Sequence, residues 1–281
     1  DIKLTKLTGT ITVGGKDVND NVKTFTITSY ELSGSDLEYY DLSTTSITVD
    51  IIPAELTLTG LTVDNKVYDG LLTAKLNYGS TGLTGFMFPA DKVILKKLQP
   101  SAAFVTNNAG DTKPIMLTDK QFFIRSTDPL NKTNEYNYSL TIPAITANIT
   151  PRPLLVSATC IEKIYDHNVI ALPAMIKLTD NRVSGEVFDI TYTGASFATD
   201  DAGIAIPVTV EGISITPALD AANYTVNGTA LASANITPKV ITILGVTAVD
   251  KVYDDNNRAV LGGTPTLSDI LGGDVVTIVT G

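Results

Sequence analysis

Apolar and polar residues alternate with a period of two along much of this chain. From Phe188 onward, Phe188, Ile190 and Tyr192 fall on one face and Asp189, Thr191 and Thr193 on the other, the pattern of a strand with one wet face. In "ITANITP", Ile145, Ala147 and Ile149 alternate with Thr146, Asn148 and Thr150. "ELTLT" and "SITVDI" behave alike. No long stretch carries a helical stripe, and Gly or Pro punctuation falls every 8 to 15 residues, the spacing of a sandwich or barrel. The expected fold is all-β, with six to eight strands per structural unit.

How many units there are follows from self-similarity. "DNKVYDG", "IEKIYDH" and "VDKVYDD" place Tyr68, Tyr165 and Tyr253 at intervals of 97 and 88 residues. "DIIP", "NITP" and "NITP" place Pro53, Pro151 and Pro238 at intervals of 98 and 87. A further tyrosine, Tyr40, Tyr138 or Tyr224, precedes each proline by 13 or 14 residues. Between these landmarks "TNNAGDTKPIML" parallels "ATDDAGIAIPVTV". The opening "DIKLTKLTG" matches "VFDITYTG" and the closing "VVTIVTG", so the chain starts and stops at one phase of the repeat. The expected organisation is a C-terminal part of a repeat at 1–53, complete repeats at 54–151 and 152–238, and an N-terminal part of a repeat at 239–281, a window on a longer array. Strands resume within one or two residues of Pro151 and Pro238, with no Gly/Ser linker, and proline fixes φ there. A stiff, rod-like tandem array of small Ig-like β-sandwiches is expected.

Composition narrows the partners. A formal charge of −10 and a pI near 4.5 are unsuited to tracking phosphates, so nucleic acid is not expected. No run approaches the ~20 apolar residues of a membrane span. Cys160 is the only cysteine, which excludes an intrachain disulfide and Cys-rich zinc sites; standing where other repeats carry Val63 and Ala248, it reads as a small buried apolar residue.

The set K-[VI]-Y-D, D-A-G or N-A-G, A-N-Y-T and A-N-I-T-P resembles the YDG and related MBG repeats of large bacterial surface adhesins. It is carried by Lys66, Tyr68 and Asp69; Lys163, Tyr165 and Asp166; Lys251, Tyr253 and Asp254; Asp201 to Gly203; and Ala222 to Thr225. The resemblance spans essentially the whole chain. It implies a tandem β-domain array on a long exported protein, at the extracellular face of a bacterial cell, acting as stalk or adhesive fibre, with no chemistry carried over. The chain departs from the pattern at the insertion "RSTDPLNKTNE" (125–135), and in having His167 and Asp255 where the YDG glycine stands.

Candidate sites are few. Asp69, Asp166 and Asp254 are weak Ca²⁺ candidates, since Ca²⁺ takes several oxygen ligands. A tyrosine half-buried at a strand end, followed by an aspartate capping a turn, accounts for the same motif without metal. No cofactor is therefore expected, with Ca²⁺ as the alternative. Lys66, Lys163 and Lys251, in phase with turns, read as ordinary solvated lysines rather than isopeptide donors. Tyr138 and Tyr224 read as core residues, and Pro151 and Pro238 as joints. His167 is the sole histidine, with no nucleophile motif beside it, and no enzyme is expected. The expected role is structural: a stalk or fibre segment whose partners are neighbouring repeats, including self-association into fibres. The alternative is a direct glycan- or protein-binding module, its contacts carried by insertions such as 125–135.

Overall fold

The computed structural model describes residues 3–13, 16–19, 23–41, 43, 47–117, 121–216 and 220–279. Residues 1, 2, 280 and 281, at the extremities of the matching "DIKLTKLTG" and "VVTIVTG" segments, lie outside the described residues. The chain divides into two compact units, Asp1–Thr150 and Pro151–Gly281. Both are mostly β, and the helical pieces among the described residues are 3-10 turns of three to six residues.

In the first unit, strands Lys3–Val13, Lys23–Ser33 and Ile47–Val49 form an antiparallel sheet. From Ala54 a larger assembly begins. Lys66–Val67, Thr146–Thr150, Gly110–Leu117, Ala102–Phe104 and Thr73–Ala74 make a five-stranded sheet in that order, and Tyr138–Thr141, Ala54–Thr59 and Gly82–Thr84 make a three-stranded one. The alternation in Ala54–Thr59 points Leu56 and Leu58 inward, each 1% exposed, with Val93, Ile124 and Tyr138 packed around Leu56 and with Leu61 and Phe122 around Leu58.

The second unit repeats this plan. Lys163–Ile164, Thr229–Thr237, Gly203–Glu211 and Gly194–Phe197 form a four-stranded sheet over a core of Phe197, Ile206, Val208, Ala234 and Ile236. Arg152–Leu154 runs parallel to Tyr224–Val226 as Ala54–Thr59 runs parallel to Tyr138–Thr141. Lys163–Ile164 runs parallel to the end of Thr229–Thr237 as Lys66–Val67 does to Ile149 and Thr150. A hairpin of Ile243–Val249 and Val260–Leu267 follows, largely exposed.

Three expectations need correction. Among the described residues twelve strands lie between Ala54 and Thr150 and ten between Arg152 and Thr237, not six to eight. The extended runs are cut into short pieces by positions that cannot continue a strand. At Gly60 φ is +73° and a Cβ would lie 2.4 Å from the Ser80 carbonyl oxygen, so the strand from Ala54 stops there and resumes at Thr62. A strand resumes directly at Arg152 after Pro151, but after Pro238 the next begins only at Ile243. Cys160 is half-buried against the second core rather than fully buried, and burial pushes its thiol up from the ordinary range.

Candidate functional site

Each K-x-Y-D segment closes a small loop. Lys66 Nζ donates to Asp69 Oδ1 at 2.7 Å and to the Leu71 carbonyl at 2.6 Å, while the Leu71 amide donates back to Asp69 Oδ1 at 2.9 Å. Lys163 holds Asp166 at 2.6 Å and the Asn168 carbonyl at 2.5 Å. Lys251 holds Asp254 at 2.7 Å and the Asn256 carbonyl at 2.8 Å. The ammonium thus bridges residues three and five places ahead, and the intervening residue takes a left-handed φ: +77° at Gly70, +60° at His167 and +54° at Asp255. That conformation costs a non-glycine residue energy, and the Lys-Asp bridge holds it in place.

Lys66 and Lys163 are not the ordinary solvated lysines expected, whereas Lys251 is exposed. The side chains of Lys163 and Lys66 are only 7% and 17% exposed, and their ammonium groups sit 5.1 Å and 5.5 Å from the ring centres of the buried Phe197 and Phe104. The stem is apolar and packs inward, while the head keeps its charge by pairing. Burial pushes the Asp69 and Asp166 carboxyls up, but the lysine ammonium and backbone amides outweigh it and hold both below the usual carboxylate range. Lys251 does the same to Asp254. The three candidate Ca²⁺ carboxylates are therefore each committed to a lysine, and among the described residues no group of three or more His, Cys, Asp or Glu side chains is placed to hold a metal.

The motif tyrosines have different surroundings. Tyr68 is buried at 2% and its amide donates to Thr150; Tyr165 is half-buried and its amide donates to Thr237; Tyr253 is 86% exposed. The Tyr165 hydroxyl donates to Asp274 Oδ1 at 2.9 Å, with His167 Nδ1 at 3.0 Å from the same oxygen. Tyr165 thus ties its own repeat to the part that follows Pro238. In the first unit Asn137 plays a comparable role: its Nδ2 donates to Asp17 Oδ1 and its Oδ1 accepts from the Val18 amide, both at 2.8 Å. Pro151 and Pro238 are themselves exposed.

Tyr138 and Tyr224 are each 6% exposed and share one arrangement. Both cap a 3-10 turn and enter a strand. The Tyr138 hydroxyl accepts from the Phe88 amide at 2.9 Å and donates to Asp91 Oδ2 at 2.8 Å. The Tyr224 hydroxyl accepts from the Val183 amide at 2.8 Å and donates to Glu186. Burial pushes both phenols up, Tyr224 to about 12, with Glu186 adding to that rise. In each case the receiving loop is a turn in which the carboxylate residue's amide bonds back to the carbonyl three residues earlier, Asp91 to Phe88 and Glu186 to Val183.

Sequence reasoning missed these carboxylate turns, because "FPAD" and "VSGE" share only a final acid. It also missed Arg182, whose guanidinium pairs with Asp180 at 2.7 Å and lies 3.9 Å from the ring centre of Phe188, the neighbour of Tyr224. The asparagine of A-N-I-T had a readable signal. Asn148 Oδ1 accepts from Thr112 at 2.8 Å and Asn235 Oδ1 from Ala205 at 2.9 Å, at the residue after Asp111 or Ile204 where the backbone turns left-handed and the pairing register shifts. A repeated Asn opposite a repeated D-A-G or N-A-G marks that bulge.

The motif residues among the described ones thus form recurring braces. A YDG domain matches twice, at residues 52–147 and 150–232. No curated protein and no solved structure matches the chain. With two copies covering most of its length, the chain belongs to the YDG domain family.

Proposed function

We propose that this chain is a structural segment of a repetitive bacterial cell-surface adhesin, a stalk of tandem Ig-like β-sandwiches that extends a distal adhesive region from the envelope. The observation that carries the reading is the recurrence of the same braces in successive repeats. The lysine clasp appears three times and the tyrosine-to-carboxylate bond twice, and both serve to hold backbone. Only Pro151 separates the strand ending at Thr150 from the one starting at Arg152. In this reading the chain is extracellular, has no catalytic role and takes no cofactor.

Small-angle scattering tests the extended arrangement. A single packed domain of this length has a radius of gyration of about 19 Å, whereas three sandwich lengths end to end exceed about 25 Å by the same comparison. A value near 19 Å, or no loss of extension on replacing Pro151 and Pro238 with Gly, counts against the stalk.

A second reading, direct binding to protein or glycan, has one observation in its favour. The loop bearing Phe86 and Phe88, 68% and 56% exposed, neighbours the insertion bearing Leu130, 95% exposed, through the bond from the Thr127 amide to the Lys92 carbonyl. Saturable binding to a glycan array or to cells, lost in Phe86→Ala with Phe88→Ala, would favour it.

A further inference from the structure

The four-stranded sheet of the second unit turns Phe197, Val208, Ala234 and Ile236 into the core. Residues paired across strands share a face, and so do alternate residues along a strand, which fixes what the other face carries. One row runs Ile170, Ser196, Thr209, Leu231 through three successive pairings, and beside it Pro207 pairs with Ser233. Leu231 and Ile170 are 75% and 57% exposed. None of the six carries a charge, and Glu211 stands only at the strand end.

The corresponding sheet of the first unit has the same character. Thr73, Ala103 and Met116 make one row and Pro114 pairs with Thr146, again without charge; Met116 is 59% exposed. Other sheets of these repeats display exposed charges: Lys96 and Arg125 on Val93–Lys97 and Phe122–Ser126, and Lys177 on Ile176–Thr179. Both complete repeats thus keep one sheet face uncharged, on a chain whose net charge is −10.

We propose that the outer face of this four-stranded sheet docks on the same face of a second copy, sheet against sheet about a two-fold axis. Charge decides the occupant. Two copies of an acidic chain repel, and a two-fold contact brings the same patch of both together. A face bearing Lys177, or Lys96 and Arg125, then sets like charges near one another, whereas the row through Leu231 sets none. Its serines, threonine and proline are small enough for two sheets to close to about 10 Å, and burying Leu231 and Ile170 drives the contact. The two rows cover roughly 200 Å², at about 4.8 Å between strands and about 6.7 Å between same-face residues, against about 800 Å² per partner in a stable interface. One repeat alone therefore associates weakly, and the effect multiplies where several repeats engage. The inference goes beyond the stalk reading, since contact between copies does not depend on how the repeats are strung.

Sedimentation of the 281-residue chain from micromolar to millimolar concentration should show a monomer in equilibrium with a dimer. Added salt should strengthen association, because screening relieves the repulsion between two acidic copies. Leu231 is exposed, so Leu231→Glu should leave each copy folded and weaken association by about tenfold or more. Thr179→Glu, exposed on a different sheet, should leave it unchanged. A benzophenone side chain at position 231 should cross-link to residues 194–211 or 229–237 of an isotope-labelled second copy. A chain that stays monomeric at millimolar concentration in salt, association indifferent to Leu231→Glu, or an equal loss in Thr179→Glu would each overturn the proposal. A monomer that binds a glycan array and loses that binding in Leu231→Glu would also overturn it, giving the face to a saccharide. A monomer that scatters as an extended particle overturns it while leaving the stalk standing, and a compact chain whose dimer is lost in Leu231→Glu does the reverse.

Discussion

Replacing Tyr138 by Phe removes one oxygen from a buried site and leaves the ring in place. The hydroxyl satisfies two groups, the Phe88 amide and the Asp91 carboxylate, and Asp91 is 9% exposed. The adjacent buried Asn134 gives its Nδ2 to the Asp91 backbone carbonyl and so does not replace the lost donor. A buried carboxylate deprived of its donor should cost about 2 to 4 kcal/mol. Tyr224→Phe is the matched control. Its ring is equally buried and its amide bond equivalent, but Glu186 is only half-buried, so water can take over the carboxylate and the loss should be nearer 1 kcal/mol. Because the two units need not unfold together, the assay should be site-resolved: hydrogen exchange at the Phe88 and Val183 amides, beside denaturant unfolding of each variant. Exchange at Phe88 should accelerate more in Tyr138→Phe than exchange at Val183 does in Tyr224→Phe. Equal losses, or a larger one for Tyr224→Phe, would refute the assignment of the cost to carboxylate burial.

The remaining predictions concern the clasp and pH. Lys163→Met should destabilise the second unit by about 1 to 2 kcal/mol, and Lys251→Met, whose side chain is 34% exposed against 7% for Lys163, by much less; thermal melts giving the reverse order would contradict the packing described. The carboxyls of Asp69 and Asp166 lie below their ordinary range in the folded chain, so their contribution is present above the unfolded value of about 4 and is lost as pH falls through the folded value. An acid titration should show it, flattened in Lys163→Met. The opposite sign applies to Tyr224, raised to about 12: its contribution, on the order of 2 to 3 kcal/mol, is intact below about pH 10 and disappears between about 10 and 12. Tyr224→Phe should remove that alkaline step, and its persistence would exclude Tyr224 as the source.

The sequence revealed some features well because they are local. Period-two alternation placed Ala147 and Ile149 inward, and both are buried. The clasp spans six residues, so its lysine and aspartate were visible as a motif even though the burial of the lysine was not: Phe104 and Phe197, over whose rings the ammonium groups sit, come from strands 34 or more residues away. The partners of Tyr138 and Tyr224 lie 38 to 50 residues off, in loops whose sequences differ, and nothing near the tyrosines points to them. Strand number failed for another reason. Alternation reports which face is wet, and it continues through a left-handed glycine such as Gly60 that ends hydrogen bonding.

The parallel pairing within each repeat sets how the repeat would respond to a pull on its two ends. Lys66–Val67 near the start of one repeat lies parallel to Ile149 and Thr150 at its end, and Lys163–Ile164 lies parallel to Ile236 and Thr237. Tension applied through the two ends of a repeat pulls these neighbours past one another along their length. The interstrand hydrogen bonds, which run across the strands, are then strained together in shear instead of being peeled open one at a time. The clasps of Lys66 and Lys163 sit on these short strands, directly before the chain turns away.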